Sequence, residues 1–222
     1  MDLPKVELYQ DDHVRPDTPI VVIHTFGDRG EKTWAEMEAC GCSPCVLAAV
    51  TIEKWEETLS PWPAPKVFKG ECDFGDGADR YIETLTSHIL PDIRNRTGIA
   101  EGPCHIAGYS FAGLFALYSL YKTDAFTSAA SVSGSLWFPG FTEFAAENPL
   151  KRMPRRLYMS LGDKESNTRN EVMRKVGERT EGLFRHYQSL GIDCAFELNQ
   201  GNHFQDAEKR LVNGIRWILE KS

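Results

Sequence analysis

No stretch of these 222 residues is apolar for long enough to cross a membrane as a helix. Nor is there a concentrated basic run: 25 Lys and Arg stand against 32 Asp and Glu, for a net charge of -7. Nucleic acids and anionic membrane surfaces both need a positive patch, so neither is expected as a partner. The first residues, Met1-Asp2-Leu3-Pro4-Lys5, lack a basic stretch leading into an apolar run, which sets the expectation of a soluble, cytoplasmic protein. Without a secretory route, the Asn95-Arg96-Thr97 sequon reads as an accident of composition. Internal repeats and low-complexity segments are absent as well. Cysteine is sparse, with six residues, three of them clustered as Cys40, Cys42 and Cys45. No second Cys-x-x-Cys answers that cluster, so free thiols are expected rather than a zinc or redox site completed by Cys72. No metal and no cofactor are called for.

What is present suits one globular domain spanning residues 1-222, since 41% hydrophobic content can fill a single sizeable core. Ile20-Val21-Val22-Ile23 and Cys45-Val46-Leu47-Ala48-Ala49-Val50 are continuous apolar runs of strand length, with a helix expected over Glu31 to Ala39 between them. Further strands are expected at Cys104 to Tyr109, Thr127 to Val132, Arg156 to Leu161 and Cys194 to Leu198. Helices are expected over Asp76 to Arg96, Phe111 to Tyr121, Thr142 to Glu147, Arg169 to Leu190 and Phe204 to Leu219. Pro91 should bend or split the first of these. Such alternation implies a mostly parallel sheet with helices on both faces.

In sheets of that kind ligands bind beyond the carboxyl ends of the strands. Three chemically apt side chains follow strands there. Ser110, in Gly108-Tyr109-Ser110-Phe111-Ala112, stands at a strand-to-helix turn between small residues, the layout of a nucleophile elbow. Gly113 comes one place after the position where a second glycine is usual; the alternative is a serine that merely caps the helix. Asp163 and Glu165 lie in Gly162-Asp163-Lys164-Glu165, and His203 follows the Cys194 strand. The order Ser, acid, His is that of a hydrolase triad: imidazole must take the serine proton, and a carboxylate must fix the imidazole tautomer. Glu165, three residues after Gly162, is preferred as the acid; Asp163 is the alternative. Of the other histidines, His105 reads as core, His88 and His186 as helix-surface residues, and His13 as part of a polar loop. His24 reads as a support for the loop after its strand. The backbone N-H groups of Phe111 and Phe26 are the expected oxyanion donors.

The segments Gly108-Tyr109-Ser110-Phe111-Ala112-Gly113-Leu114-Phe115-Ala116 and Ser131-Val132-Ser133-Gly134-Ser135-Leu136-Trp137 together resemble the putative esterase family of α/β-hydrolases. So do Phe74-Gly75-Asp76-Gly77, Gly162-Asp163-Lys164-Glu165 and Gly201-Asn202-His203-Phe204. The family includes esterase D-type enzymes, siderophore esterases, feruloyl esterases and mycolyltransferases, and the resemblance runs from Ile20 to Leu219. It implies an α/β-hydrolase fold and carboxylic-ester hydrolysis of a small-molecule substrate without a cofactor. The chain is most similar to the siderophore esterase-like branch, in a minimal form without a large lid.

Trp62, in a proline-rich loop beginning at Trp55, and Trp137 could wall an acyl pocket, or Trp62 could simply cover core. Acyl transfer from the same site, and ligand binding without catalysis, are the other functional readings. A homodimer is compatible with the composition.

Overall fold

The computed structural model describes residues 3–11, 14–27, 29–67 and 73–220. His13 and Cys72 lie outside the described residues.

Seven strands form one sheet in the order β1-β3-β2-β4-β5-β6-β7. They are β1 (Val6–Tyr9), β2 (Ile20–Thr25), β3 (Val46–Thr51), β4 (Cys104–Tyr109), β5 (Ser128–Val132), β6 (Arg156–Gly162) and β7 (Asp193–Asn199). All neighbouring pairs run parallel except β1 with β3, where Val6 pairs with Val50 and Tyr9 with Leu47. Strand β1 is the strand that the periodicity of the chain does not announce. It is four residues long and only half-buried, so its alternation is too short to register.

The parallel strands are apolar on both faces because both faces are covered. Ile20 and Val22 join one core with Val46, Ala48 and Val50, while Val21 and Ile23 join the other with Leu47 and Ala49. That strict alternation is the two-residue period of the pleat. Helices α1 (Arg29–Ala39) and α8 (Ala207–Leu219) cover the second face through Met37, Leu211, Val212 and Ile215. The first face is covered by α3 (Ala78–Thr84), α4 (Leu90–Thr97), α5 (Phe111–Lys122) and α7 (Val176–Ser189), with α6 (Phe141–Glu147) packed beside them. Every residue of α5 from Phe111 to Tyr121 is buried, as expected of a helix apolar all round.

The break expected at Pro91 is present, and two other expectations change in detail. The 76–96 helix is interrupted by a π-helical turn over Leu85–Ile89, and Pro91 then occupies the first turn of α4. Proline has no N-H to give to the carbonyl four residues back, so the turn before it widens. The 169–190 helix begins only at Val176, after a 3-10 turn at Met173–Lys175. Trp55–Thr58, read as loop, forms a single helical turn, α2.

This is the α/β-hydrolase arrangement, with central strand β4 delivering Ser110 to the carboxyl edge. Among the described residues no separate lid domain covers that edge, and no helix is long and apolar enough to cross a membrane.

Candidate active site

Ser110 sits between β4 and α5 with φ 59° and ψ -121°. A left-handed φ on a residue with a Cβ costs on the order of 1–3 kcal/mol and persists only where the surroundings impose it. Here they do: the Ser110 carbonyl accepts from the amides of Gly113 (3.0 Å), Leu114 (3.3 Å) and Ser135 (2.9 Å), and its own amide donates to Val132 (3.0 Å). The chain can turn this sharply because a Cβ on Gly108 would lie 2.1 Å from the Ala112 carbonyl oxygen. The tolerance for Ala112 also has a cause. The close approach to the neighbouring strand falls at Gly113, where a Cβ would stand 3.0 Å from Gly134 Cα and 3.0 Å from Ser131 Oγ.

His203 lies in the turn between β7 and α8. Its Nε2 is 3.0 Å from Ser110 Oγ and its Nδ1 is 2.7 Å from Glu165 Oε2. With the proton on Nδ1, Nε2 accepts the serine hydroxyl and Nδ1 donates to the carboxylate. The Tyr109 hydroxyl donates to the His203 carbonyl at 2.6 Å, fixing the turn that carries the ring.

Glu165 is only 5% exposed. Its Oε1 accepts from the Ser133 hydroxyl and the Gly162 amide, each at 2.7 Å, and lies 3.5 Å from Arg210 Nη1. Burial alone would push its pKa up. Hydrogen bonds from His203, Gly162 and Ser133, with the charge of His203, outweigh burial and hold it below the usual 4.5. The group is therefore a carboxylate at neutral pH.

Asp163 goes elsewhere. Its carboxylate accepts the Gly201 amide at 2.8 Å, bracing the β6 loop against the β7 loop. The structure thus brings Glu165, not Asp163, to His203.

Of the two tryptophans offered as pocket walls, Trp62 takes its alternative as a cover of the core, and Trp137 also lies away from the cleft. Trp62 packs against Tyr118, Phe138 and Phe144 and donates its indole N-H to the Pro139 carbonyl at 2.9 Å. Trp137 is 6% exposed, lies against Phe74, and is not among the residues lining the cleft at Ser110. Trp137 is buried in the core, and Trp62 is half-buried and packs against it.

The walls are other aromatics. A cleft of about 350 Å³ opens at Ser110 and His203, lined by Phe26, Trp55, Tyr109 and Phe204. Phe26 meets Trp55 edge to face at 5.6 Å, and Phe204 is 86% exposed beside His203. Phe204 was legible as a large apolar residue next to the base, whereas Arg29 and Glu208 at the rim carried no sequence signal. Phe111, whose amide directly follows Ser110, stacks its ring on Phe74 at 5.2 Å. Phe26, in the loop after β2, borders the same cleft.

His24, at the end of β2, joins Tyr81 of α3 at 2.9 Å. Burial pushes its pKa down to about 3, so it is neutral and ties the strand end to the helix layer. A larger cavity, about 1440 Å³, lies at the opposite end of the sheet beside Pro19, Pro103, Thr127 and Arg155. Those residues precede strands, the edge where α/β sheets do not present their chemistry. Cys40 and Cys42 place their Sγ atoms 3.5 Å apart, and burial first, then Cys40, pushes the Cys42 thiol up to about 12. Among the described residues no three or more His, Cys, Asp or Glu side chains gather as metal ligands.

Comparison with known proteins gives the same frame. The family model described as "Putative esterase" matches residues 32–194. The protein YbbA of Bacillus subtilis strain 168, itself uncharacterized, is 23% identical over 185 residues, covering 80% of this chain and 74% of its own. Among solved structures, an IroE-like serine hydrolase from Shewanella oneidensis superposes with a TM-score of 0.77 at 15% identity, over 96% of this chain and 75% of that one. The siderophore hydrolase EstB of Aspergillus nidulans superposes with a TM-score of 0.70 at 18% identity, over 99% and 97% of the two chains.

Proposed function

The chain belongs to the family described as putative esterases, and on that premise we propose that it hydrolyses carboxylic esters through an acyl-enzyme on Ser110. The observation that carries this reading is one unbroken relay: Ser110 Oγ to His203 Nε2 at 3.0 Å, and His203 Nδ1 to Glu165 Oε2 at 2.7 Å. A serine hydroxyl is a weak nucleophile until a base within hydrogen-bond reach takes its proton.

Ser110 Oγ attacks the ester carbonyl while its proton passes to His203 Nε2. The imidazolium so formed is stabilised by the Glu165 carboxylate, which also holds the ring in the productive tautomer. Negative charge on the former carbonyl oxygen is met by the Phe111 amide, at the start of α5, and by the Phe26 amide in the loop after β2. Collapse breaks the C-O bond, and His203 returns the proton to the departing alcohol. Water then enters, gives a proton to His203 as it attacks the acyl carbon, and collapse releases the acid while His203 returns that proton to Ser110 Oγ. The sequence consumes only ester and water.

The aromatic rim of exposed Phe26 and Phe204 with half-buried Trp55 suits a flat apolar group on the acyl or alcohol side. Siderophores, named in the description of the Aspergillus hydrolase, belong in the assay panel beside simple aryl esters. Incubation with a fluorophosphonate probe, followed by peptide mass spectrometry, tests the reading. Modification at Ser110 is expected, and an unlabelled wild-type protein would sink it.

A further inference from the structure

Arg210 is the least exposed charged side chain near the proposed triad, at 2%, and the reaction scheme above does not use it. It reaches from α8 into the space beneath the turn that carries His203. Nη2 donates to the Gln200 carbonyl at 2.9 Å and Nη1 to the Asn202 carbonyl at 3.1 Å, so one guanidinium spans the turn. The same Nη1 lies 3.5 Å from Glu165 Oε1 and 3.5 Å from Ser133 Oγ. An arginine on a surface-lying amphipathic helix is ordinarily solvated. Withdrawing this one from water is tolerated only because a carboxylate and backbone carbonyls replace its hydration.

We propose that Arg210 is a positioning residue for this triad: it fixes the His203 turn and, by sharing Glu165 Oε1, offsets part of the negative charge that the carboxylate places beside His203. This rests on the serine-hydrolase reading above. The division of the Glu165 carboxylate is the reason. Oε1 is held by Ser133, Gly162 and Arg210, which leaves Oε2 aimed at His203 Nδ1. A carboxylate next to a histidine stabilises imidazolium, and an imidazolium already formed cannot accept the Ser110 proton. The guanidinium places a second positive charge on that carboxylate and opposes imidazolium formation. With both ions buried, the opposition is weakly screened. The other titratable groups facing His203 are Tyr109 of β4, whose phenol burial holds above its usual range, and Arg29 of α1 and Glu208 of α8 at the cleft rim. All of them stay in place in the variants below.

The test measures the His203 titration by NMR of the imidazole ring, assigned with His203→Asn, alongside the pH profile of kcat/KM on an aryl acetate. In Arg210→Met the His203 midpoint and the acid limb of the profile should both move up by about one pH unit. Loss of positioning should lower kcat by about 10- to 100-fold. Arg210→Lys keeps the charge but cannot span both carbonyls, so its midpoint should stay near wild type while kcat falls by about 10-fold. An arginine needed only for folding would lower Tm and leave the midpoint and limb where they were, which overturns the proposal. So would a Lys variant with wild-type kcat, a result that stands even if the Met variant fails to fold. The NMR titration needs no turnover. Failure of the wild type to label at Ser110 would therefore strike the serine reading, while the His203 midpoint still judges Arg210.

Discussion

Asp163 accepts the Gly201 amide at 2.8 Å, two residues before the histidine that Glu165 holds at 2.7 Å. Two acids of one short loop thus support the same turn by different means, one through its backbone and the other through the imidazole. Glu165→Gln should lower kcat by about 10³-fold or more, because an amide cannot stabilise imidazolium and favours the wrong tautomer. Asp163→Asn keeps an oxygen acceptor for Gly201 and should cost less than about 10-fold. Steady-state rates of the two variants decide the matter; equal losses would contradict the assignment.

Ser110→Ala should remove turnover of p-nitrophenyl acetate down to the level set by binding and oxyanion contacts, a loss of about 10⁵-fold or more. The protein should remain folded. Alanine keeps the strained φ, so Tm should change little, and a scanning calorimetry trace of the variant checks this.

Trp62 and Phe204 should separate cleanly. Trp62→Ala opens a hole among Tyr118, Phe138 and Phe144 and should destabilise by about 3 kcal/mol, with KM of the surviving enzyme unchanged. Phe204→Ala, at an exposed site, should alter stability by less than about 0.5 kcal/mol. Its effect should instead appear as a raised KM for bulky aryl esters. Urea unfolding paired with kinetics on two ester sizes tests both.

The protein should lose stability below pH 6.5. His24 and His105 are buried and neutral, with pKa values lowered by burial to about 3 and about 4, the latter with help from Arg155. Between those values and the unfolded 6.5 the unfolded chain binds protons that the folded chain does not. Stability is therefore full above 6.5 and falls with pH, by about 1.4 kcal/mol per unit for each histidine once well inside the window. His24→Asn should roughly halve the slope of unfolding free energy between pH 6 and about 4.5, measured by urea denaturation.

The cleft's aromatic rim invites the question of what leaves the acyl-enzyme. Water is the expected acceptor at a site that no separate lid domain covers among the described residues. Product analysis with added small alcohols should give mainly free acid, and dominant ester exchange would mark acyl transfer instead.

Much of this was legible before any coordinates. The strands from β2 onward announce themselves as apolar runs, and Ser110 is marked by the small residues around a strand-to-helix turn. His203 follows from its place after a later strand. Those signals are local: pleat period, helical period and steric clearance at a turn all act within a few residues. The break between α3 and α4 is marked by Pro91, whereas the late start of α7 and the single turn of α2 depend on how each segment meets its neighbours.

What the chain by itself determined, then, is the α/β alternation, the elbow at Ser110, and the order serine, acid, histidine. Only the tertiary structure decided that Glu165 rather than Asp163 meets His203, that Trp62 packs against the core while Phe26, Trp55 and Phe204 line the cleft, and that Arg210 is buried beneath the turn. The reason is distance along the chain. Ser110 and His203 are 93 residues apart and Arg210 and Glu165 are 45 apart. Which side chains meet across such separations is set by the packing of helices on the sheet, and no local pattern encodes it.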